Sequence, residues 1–530
     1  MQTFNLAYPV YCHSRAVPSR TALVVDRREY SYGELAAGAA RVAGWLRDRA
    51  TRSDRAPRVG ILASRSFETY AGILGAAWAG CTYVPLNPRV PSGRLALMLR
   101  RADLDAVIVD KRGSVHLSDL GSLLPQELLV ARGIKPEVSG RRICDWDNLP
   151  AASDDIPPAS VGPNHPAYIL FTSGTTGVPK GVELATSNVA HFLSCIREQY
   201  HFGPEDRVGQ FSETSFDVSV FEMFACWDGG ASLHVVPENM LMAPAGFIRE
   251  HALTVWSSVP SVILMLSGLN FLKPGYFPSL RISYFAGEGL PVASARAWKA
   301  AAINSLVDNQ YGPTEATITC IGQLFSEPPV ETEGRGTLAI GRSYPGMQAA
   351  IVSPEGKFLD AGQTGELALS GPQLALGYLD EPEQTARRFP TLNHPTLGPS
   401  RWYLTGDLAR QDSDGRFHHL GRIDSQVKVL GNRVELEEIE AHLRAVCGTD
   451  AVATVAWPVM NGNAAGIVAF ICGGQLSPSA ARAELAKRVP HYMVPGRVVT
   501  MNALPLSTNG KIDRQALISM LNQPDYAVAS

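Results

Sequence analysis

The densest cluster of potential chemistry lies in Phe171-Thr-Ser-Gly-Thr-Thr-Gly-Val-Pro-Lys-Gly181. An apolar segment, Ala167–Phe171, runs into a loop holding three glycines, the hydroxyls of Thr172, Ser173, Thr175 and Thr176, and the ammonium of Lys180. Glycines at 174, 177 and 181 permit backbone conformations in which successive N–H groups face one anion. Hydroxyl donors and a lysine complete a cradle suited to a di- or triphosphate. The order of residues is neither Gly-x-x-x-x-Gly-Lys-Ser/Thr nor the dinucleotide turn Gly-x-Gly-x-x-Gly. A second cluster is Asn309-Gln-Tyr-Gly-Pro-Thr-Glu315, where Gly312-Pro313 imposes a turn after an apolar stretch. It offers an amide (Asn309), a flat aromatic face (Tyr311), a hydroxyl (Thr314) and a carboxylate (Glu315), the last a hard oxygen donor of the kind Mg²⁺ takes. The third feature is Asp217, set within Phe216-Asp-Val-Ser-Val-Phe-Glu222. A buried carboxylate without a partner costs several kcal/mol, so Asp217 calls for a cation such as a substrate ammonium. The competing structural role is a helix N-cap ahead of Val218–Cys226.

The elements that must carry these groups follow from periodicity. Leu35, Ala39, Val42 and Leu46 recur at helical spacing, predicting a helix over Ser31–Arg47. Strands are predicted at Val59–Leu62, Ala106–Val109, Ala167–Phe171, Leu253–Trp256 and Ile282–Ala286. Strands alternating with helical segments predict an α/β fold. Residues 154–166 and 390–400 read as loops. Beyond Gly421 the texture changes to a charged run, residues 422–440, ending in a predicted helix over Glu435–Val446. At 530 residues the chain exceeds one compact core. The expected division is 1–423, a large domain of layered α/β subdomains, and 424–530, a small α+β domain.

Composition narrows the function classes. With 45% hydrophobic and 18% charged residues and a net charge of −3, nothing draws the chain to nucleic acid or an anionic membrane. The 8 cysteines are dispersed without a Cys-x-x-Cys pair, which argues against metal fingers and disulfides and suits a reducing compartment. Met1–Val10 lacks a signal-peptide pattern and no run approaches membrane-span length, so a cytoplasmic location is expected.

The phosphate loop, together with Tyr32-Gly-Glu-Leu35, Trp78-Ala-Gly-Cys-Thr-Tyr-Val-Pro-Leu-Asn87, Tyr311-Gly-Pro-Thr-Glu315, Thr405-Gly-Asp407, Gly421-Arg-Ile-Asp424 and Asn509-Gly-Lys-Ile-Asp513, resembles in content and order the superfamily of adenylate-forming enzymes. That group contains acyl-CoA synthetases, luciferases and the adenylation domains of nonribosomal peptide synthesis. The resemblance implies ATP and Mg²⁺. Thr172, Ser173, Gly174, Thr175, Thr176 and Lys180 would hold phosphates, Asn309 and Tyr311 adenine, Thr314 the α-phosphate and Glu315 the metal. Asp407 would accept from the ribose hydroxyls with Arg422 beside it. The family usually has Arg where Leu404 stands. Lys511 resembles the catalytic lysine that reaches between substrate carboxylate and α-phosphate, and Asp424 the hinge about which the small domain turns between half-reactions. In the second half-reaction Lys511 would leave and the region Gly431-Asn-Arg433 approach.

In peptide-synthesis adenylation domains the acid at the position of Asp217 binds the substrate amine, whereas acyl- and aryl-CoA ligases generally lack it. Motif matching places Val218, Phe221, Ser257, Tyr284, Ala286, Gln310, Ile318 and Thr319 around a substrate of small-to-medium neutral side chain. Asp217 and Phe221 should share a helix face, and Tyr284 and Ala286 a strand face. The stretches Trp256–Ser261 and Phe285–Pro291 are also similar to D-alanine–carrier protein ligases, which usually carry Cys at the position of Ala286; a β-amino acid is also compatible. No carrier-protein or condensation motif is found, so the acceptor thiol is expected on a separate carrier protein. The function implied is that of a free-standing amino acid–carrier protein ligase of natural-product biosynthesis; the alternative is an acyl- or aryl-CoA ligase of the same fold.

Overall fold

The computed structural model describes residues 4–151, 156–174, 178–424, 426–460, 463–505 and 512–523. Thr175, Thr176 and Lys511 lie outside them.

Two large sheets draw their strands from residues 21–378. In the nine-stranded sheet, six strands run parallel in the order Leu306–Tyr311, Ile282–Ala286, Val255–Ser258, Arg207–Gln210, Ser232–Val235, Thr21–Val25. In the eight-stranded sheet, six parallel strands run from Pro166–Thr172 through Thr82–Pro85, Arg58–Leu62, Ala106–Val109 and Glu127–Val130 to Arg142–Asp145. Their near-continuous apolar sequences reflect cover on both faces, the reason parallel strands do not alternate. The predicted strands appear within two residues of their expected bounds. The helix Tyr32–Arg47 begins after Ser31, whose hydroxyl accepts from the Glu34 N–H while the Glu34 carboxylate accepts from the Ser31 N–H. That reciprocal cap fixes where the helix starts.

A four-stranded antiparallel sheet follows, in the order Gln348–Val352, Thr364–Ser370, Tyr403–Gln411, Phe417–Arg422. Residues 390–400 are not a loop but a hairpin, Thr391–His394 paired with Gly398–Arg401. Leu392 and His394 of its first strand turn inward toward Trp402, and because one of the two is a histidine the apolar alternation that would betray a strand is missing.

From Gln426 the chain forms sheets of its own. Gln426–Val429 and Asn432–Glu435 make a hairpin joined by Asn463–Ala464 and Val459–Met460, and Ile467–Cys472 lies between Val452–Ala456 and Arg497–Met501. The apolar clusters formed here draw on residues from Val427 onward and on none before. The predicted helix is Leu436–Cys447, ended by Gly448 at φ +66°, the left-handed C-terminal residue that glycine favours.

Candidate active site

The groups singled out in the sequence come together at the carboxyl ends of Pro166–Thr172, Ile282–Ala286 and Leu306–Tyr311, where open α/β sheets bind ligands. Two adjoining cavities lie there. One, of about 150 Å³, is lined by Thr172, Ser173, Asp217, Gly312, Thr314, Arg94, Lys428 and Arg433 among others. The other, of about 410 Å³, is lined by Gly287, Glu288, Asn309, Gln310, Ile340, His419 and Asp424 among others. Tyr311, Asp407 and Arg422 border both.

Thr172 ends its strand pointing its Oγ1 into buried space, and among the described residues that hydroxyl has no hydrogen-bond partner. An orphaned buried donor costs about 1–3 kcal/mol, which a phosphate oxygen in this position would recover. Ser173 Oγ instead donates to the Arg433 carbonyl at 3.0 Å, and the Gly174 N–H donates to a Glu438 carboxylate oxygen at 3.1 Å. Glu438 is fully buried and its other oxygen takes a hydrogen bond from the Arg94 guanidinium. Lys180 stands 6.0 Å from the Tyr378 ring centroid and does not line either cavity; burial lowers its pKa.

Asp217 occupies the wall of the smaller cavity, half-buried, one residue ahead of the helical turn Val218–Val220. It makes no side-chain capping bond to that turn. Its Oδ2 accepts from the Thr314 hydroxyl at 2.9 Å. Burial pushes its pKa up to about 6 against the opposing pull of that hydrogen bond. A carboxylate held by one hydroxyl in an apolar wall, with space beside it, is a receptor for a cation. Helical spacing does not continue after Val220: Phe221–Ala225 is a single π-helical turn. Phe221 buries completely and stacks on Tyr284 with centroids 4.2 Å apart. Such π turns are frequent at functional sites.

The other residues expected around the substrate divide. Gln310 reaches the larger cavity, and Val218 is half-buried beside Asp217. Phe221, Ser257, Tyr284, Ala286, Ile318 and Thr319 are at most 4% exposed and line neither cavity. Ser257 donates to Glu222, a fully buried carboxyl whose pKa burial raises to about 7. Thr317 and Ile318 both hold positive φ, 58° and 68°. Left-handed backbone in consecutive β-branched residues costs of order 1–3 kcal/mol each. Here it turns the chain so that Thr319 and Gln310 face one another across Tyr344.

On the larger cavity, Asn309 donates to the Ala339 carbonyl at 2.9 Å, fixing its amide at the rim. Asp407 accepts from the Tyr311 hydroxyl, from Arg422 Nη1 at 3.0 Å and lies 3.2 Å from His419 Nε2. Burial would raise its carboxyl, but His419 and Arg422 hold it well below the usual carboxylate range. Arg422 also clamps Asp424 through two bonds, 2.9 and 2.6 Å, just before the chain enters its C-terminal sheets.

Glu315, 1% exposed, is met by Arg433 Nη1 at 2.9 and 3.1 Å and by the Tyr378 hydroxyl at 2.8 Å. Burial opposes its ionisation, yet the guanidinium keeps its pKa lowered. The buried hard oxygens of Glu315 fit a divalent cation, and Arg433 holds the same carboxylate in its place. Lys428, from the neighbouring strand Gln426–Val429, was not singled out by sequence. It projects into the cavities, where burial lowers its pKa and the Asp407 charge opposes that fall. Its only sequence signal is a lysine inside an apolar alternating strand. Arg94 and Glu438 left no signal, because a charged residue on a helix reads as solvated.

The match to known sequences agrees with this geometry. Residues 12–379 match the family described as AMP-binding enzyme, and the chain belongs to that family. It is 34% identical over 511 residues to an L-proline–[L-prolyl-carrier protein] ligase of Pseudomonas fluorescens, covering 95% of this chain and 97% of that one. It is 33% identical to tyrocidine synthase 2 of Brevibacillus parabrevis, of whose length it spans 13%. Among solved structures it superposes on the adenylation domain AlmE of Vibrio cholerae, in complex with glycyl-adenosine-5′-phosphate, with a TM-score of 0.87 at 31% identity over 98% of both chains. IdnL7 gives 0.72 at 33% identity over the whole of each chain.

Proposed function

We propose that this enzyme uses ATP to convert an amino acid to its aminoacyl adenylate and then transfers the aminoacyl group to the phosphopantetheine thiol of a separate carrier protein. The observation that carries the amino-acid assignment is the Asp217 carboxyl on the cavity wall, held by the Thr314 hydroxyl and ion-paired with no cation among the described residues. A substrate ammonium there would leave its carboxylate near Thr314 and the phosphate loop. The names of the full-length relatives, a prolyl-carrier protein ligase and a glycyl-adenylate-bound adenylation domain, support the same class.

In the first half-reaction the substrate carboxylate displaces pyrophosphate at the α-phosphorus. Thr172, Ser173 and the Gly174 N–H, with Thr175, Thr176 and Lys180, hold the phosphates; Tyr311 and Asn309 flank adenine; Asp407, positioned by Arg422, accepts from the ribose. Mg²⁺, held by Glu315 and phosphate oxygens, would offset the charge of the leaving pyrophosphate. Lys511, donating to the forming bond, would stabilise charge at the transition state. The arrangement described here suits the second half-reaction. Arg433 holds Glu315, and Glu438 and the Arg433 carbonyl hold the phosphate loop. These contacts leave pyrophosphate and its metal no place, so this arrangement belongs after pyrophosphate has gone. We assign residues 1–423 and 424–530 as the two domains and Asp424, clamped by Arg422, as their hinge. The site needs no membrane or nucleic acid, and the expected location is cytoplasmic.

The test is pyrophosphate exchange with the 20 common amino acids, followed by loading of a phosphopantetheinylated carrier. Exchange driven by an amino acid establishes the reading. Exchange driven only by aryl or fatty acids, with CoA accepting the product, replaces it with an acyl-CoA ligase.

A further inference from the structure

Phe221, Tyr284 and Thr319, which sequence places around the substrate side chain, are buried in packing and line neither cavity. Phe221 and Tyr284 stack face to face at 4.2 Å and 18°. Phe192 and Phe202 close on the edges of Phe221 at 6.3 and 6.0 Å, and Tyr200 on Tyr284 at 6.3 Å. Behind the rings runs an unbroken hydrogen-bond chain. The Tyr284 hydroxyl meets Thr319 Oγ1, which lies 2.9 Å from the Tyr344 hydroxyl; Tyr344 donates to Gln310 Oε1. The Gln310 amide donates to the Tyr200 hydroxyl at 3.3 Å, and Tyr200 to Asp308 at 2.8 Å. The residues of the chain are at most 5% exposed. What Asp217 faces instead is the cavity of about 150 Å³, which it shares with the phosphate loop and whose wall beside it is Gly312, Pro313 and Thr314. A Cβ at Gly312 would meet Thr319 Cα at 2.4 Å, so that wall cannot retreat.

We propose, resting on the amino-acid reading above, that the substrate side chain is at most one carbon, glycine or alanine, because the Phe221–Tyr284 stack and the hydrogen-bonded chain from Tyr284 to Asp308 fill the lobe a longer side chain would need. A larger group must part the rings or break two or more buried hydrogen bonds. A polar group finds the chain bonded from Tyr284 to Asp308, with only Asp308 Oδ1 at its far end unpartnered among the described residues. Tyr344, which no motif picks out, is the positioning residue: its hydroxyl links Thr319 to Gln310 and so holds the far side of the stack.

The test is pyrophosphate exchange by the full chain with glycine, L-alanine, L-valine, L-proline and L-leucine. Glycine or alanine should exceed the other three in kcat/KM by roughly 100-fold, the discrimination a closed apolar pocket gives. Valine, proline or leucine within tenfold of the better small substrate overturns the size limit while leaving the amino-acid reading intact. Exchange driven by carboxylic acids and by no amino acid overturns both. Phe221→Ala, which removes one face of the stack, should lower the preference for glycine or alanine over valine at least tenfold. Tyr344→Phe should lower the same ratio, a readout that mere loss of stability does not move. An unchanged ratio in both variants overturns the assignment of the stack and its chain as the size limit.

Discussion

In the proposed function Asp217 carries the choice of substrate class, and its ionisation would set a pH limit. With its pKa raised to about 6, the carboxyl is neutral below that pH and loses its attraction for an ammonium. The kcat/KM for the amino acid reports the free enzyme, so it should fall about tenfold per unit as pH drops below 6. Asp217→Asn should abolish that limb and lower amino-acid-dependent exchange by ~10²-fold or more, the cost of removing one partner of a buried charge pair; binding of ATP, followed by calorimetry, should persist. Lys511→Ala should slow adenylate formation by roughly 10²–10³-fold, measured by exchange, while transfer from supplied adenylate to carrier survives. The chemical types at these positions were legible in the sequence. The partnership of Asp217 with Thr314 was not, because the two residues are 97 positions apart and only the fold brings them together.

Among elements, the hairpin Gln426–Val429/Asn432–Glu435 places Lys428 and Arg433 in the site. Its turn holds Gly431 at φ +79°, where an added Cβ would lie 2.2 Å from a Val259 methyl. Gly431→Ala therefore prevents the hairpin from seating against Val259. Carrier loading should fall by at least ~10²-fold, while pyrophosphate exchange, which uses a different position of this hairpin, stays within threefold; equal losses in both assays would contradict the assignment of this arrangement to transfer. The charged run 422–440 marked the change of texture, and the helix after it was readable from its periodicity. The π turn at Phe221–Ala225 was not: a four-residue spacing predicts ordinary helix, and only the structure shows Phe221 taken up by a ring stack with Tyr284 while Asp217 lines the cavity.

Among the described residues, two ion pairs couple the part of the chain before Asp424 to the part after it: Arg433 with Glu315, and Arg94 with Glu438. Both seal surfaces that the first half-reaction needs. Removing Arg433 leaves Glu315 buried and unpaired in this arrangement, a loss of about 3–5 kcal/mol. Arg433→Ala should thus shift the molecule away from the transfer arrangement, lowering carrier loading by more than tenfold with exchange unchanged. Magnesium pyrophosphate should compete with carrier in the parent enzyme, since Glu315 and the phosphate loop serve one or the other.

The linear order of side chains established a phosphate cradle, an acid within an apolar run, a nucleotide-facing turn and an α/β alternation, because these depend on local chemistry and short-range period. It suggested wall residues for a substrate lobe but not whether they enclose space. That was settled in three dimensions. Phe221, Tyr284, Thr319, Tyr344, Gln310 and Asp308 come from separate elements, and whether they enclose space or fill it depends on ring stacking and hydrogen bonds between parts of the chain far apart in sequence. The same holds for Arg433 against Glu315, 118 positions apart. Charge complementarity across such a distance leaves no trace in a periodic pattern, and it becomes visible only when the two sheets are folded against each other.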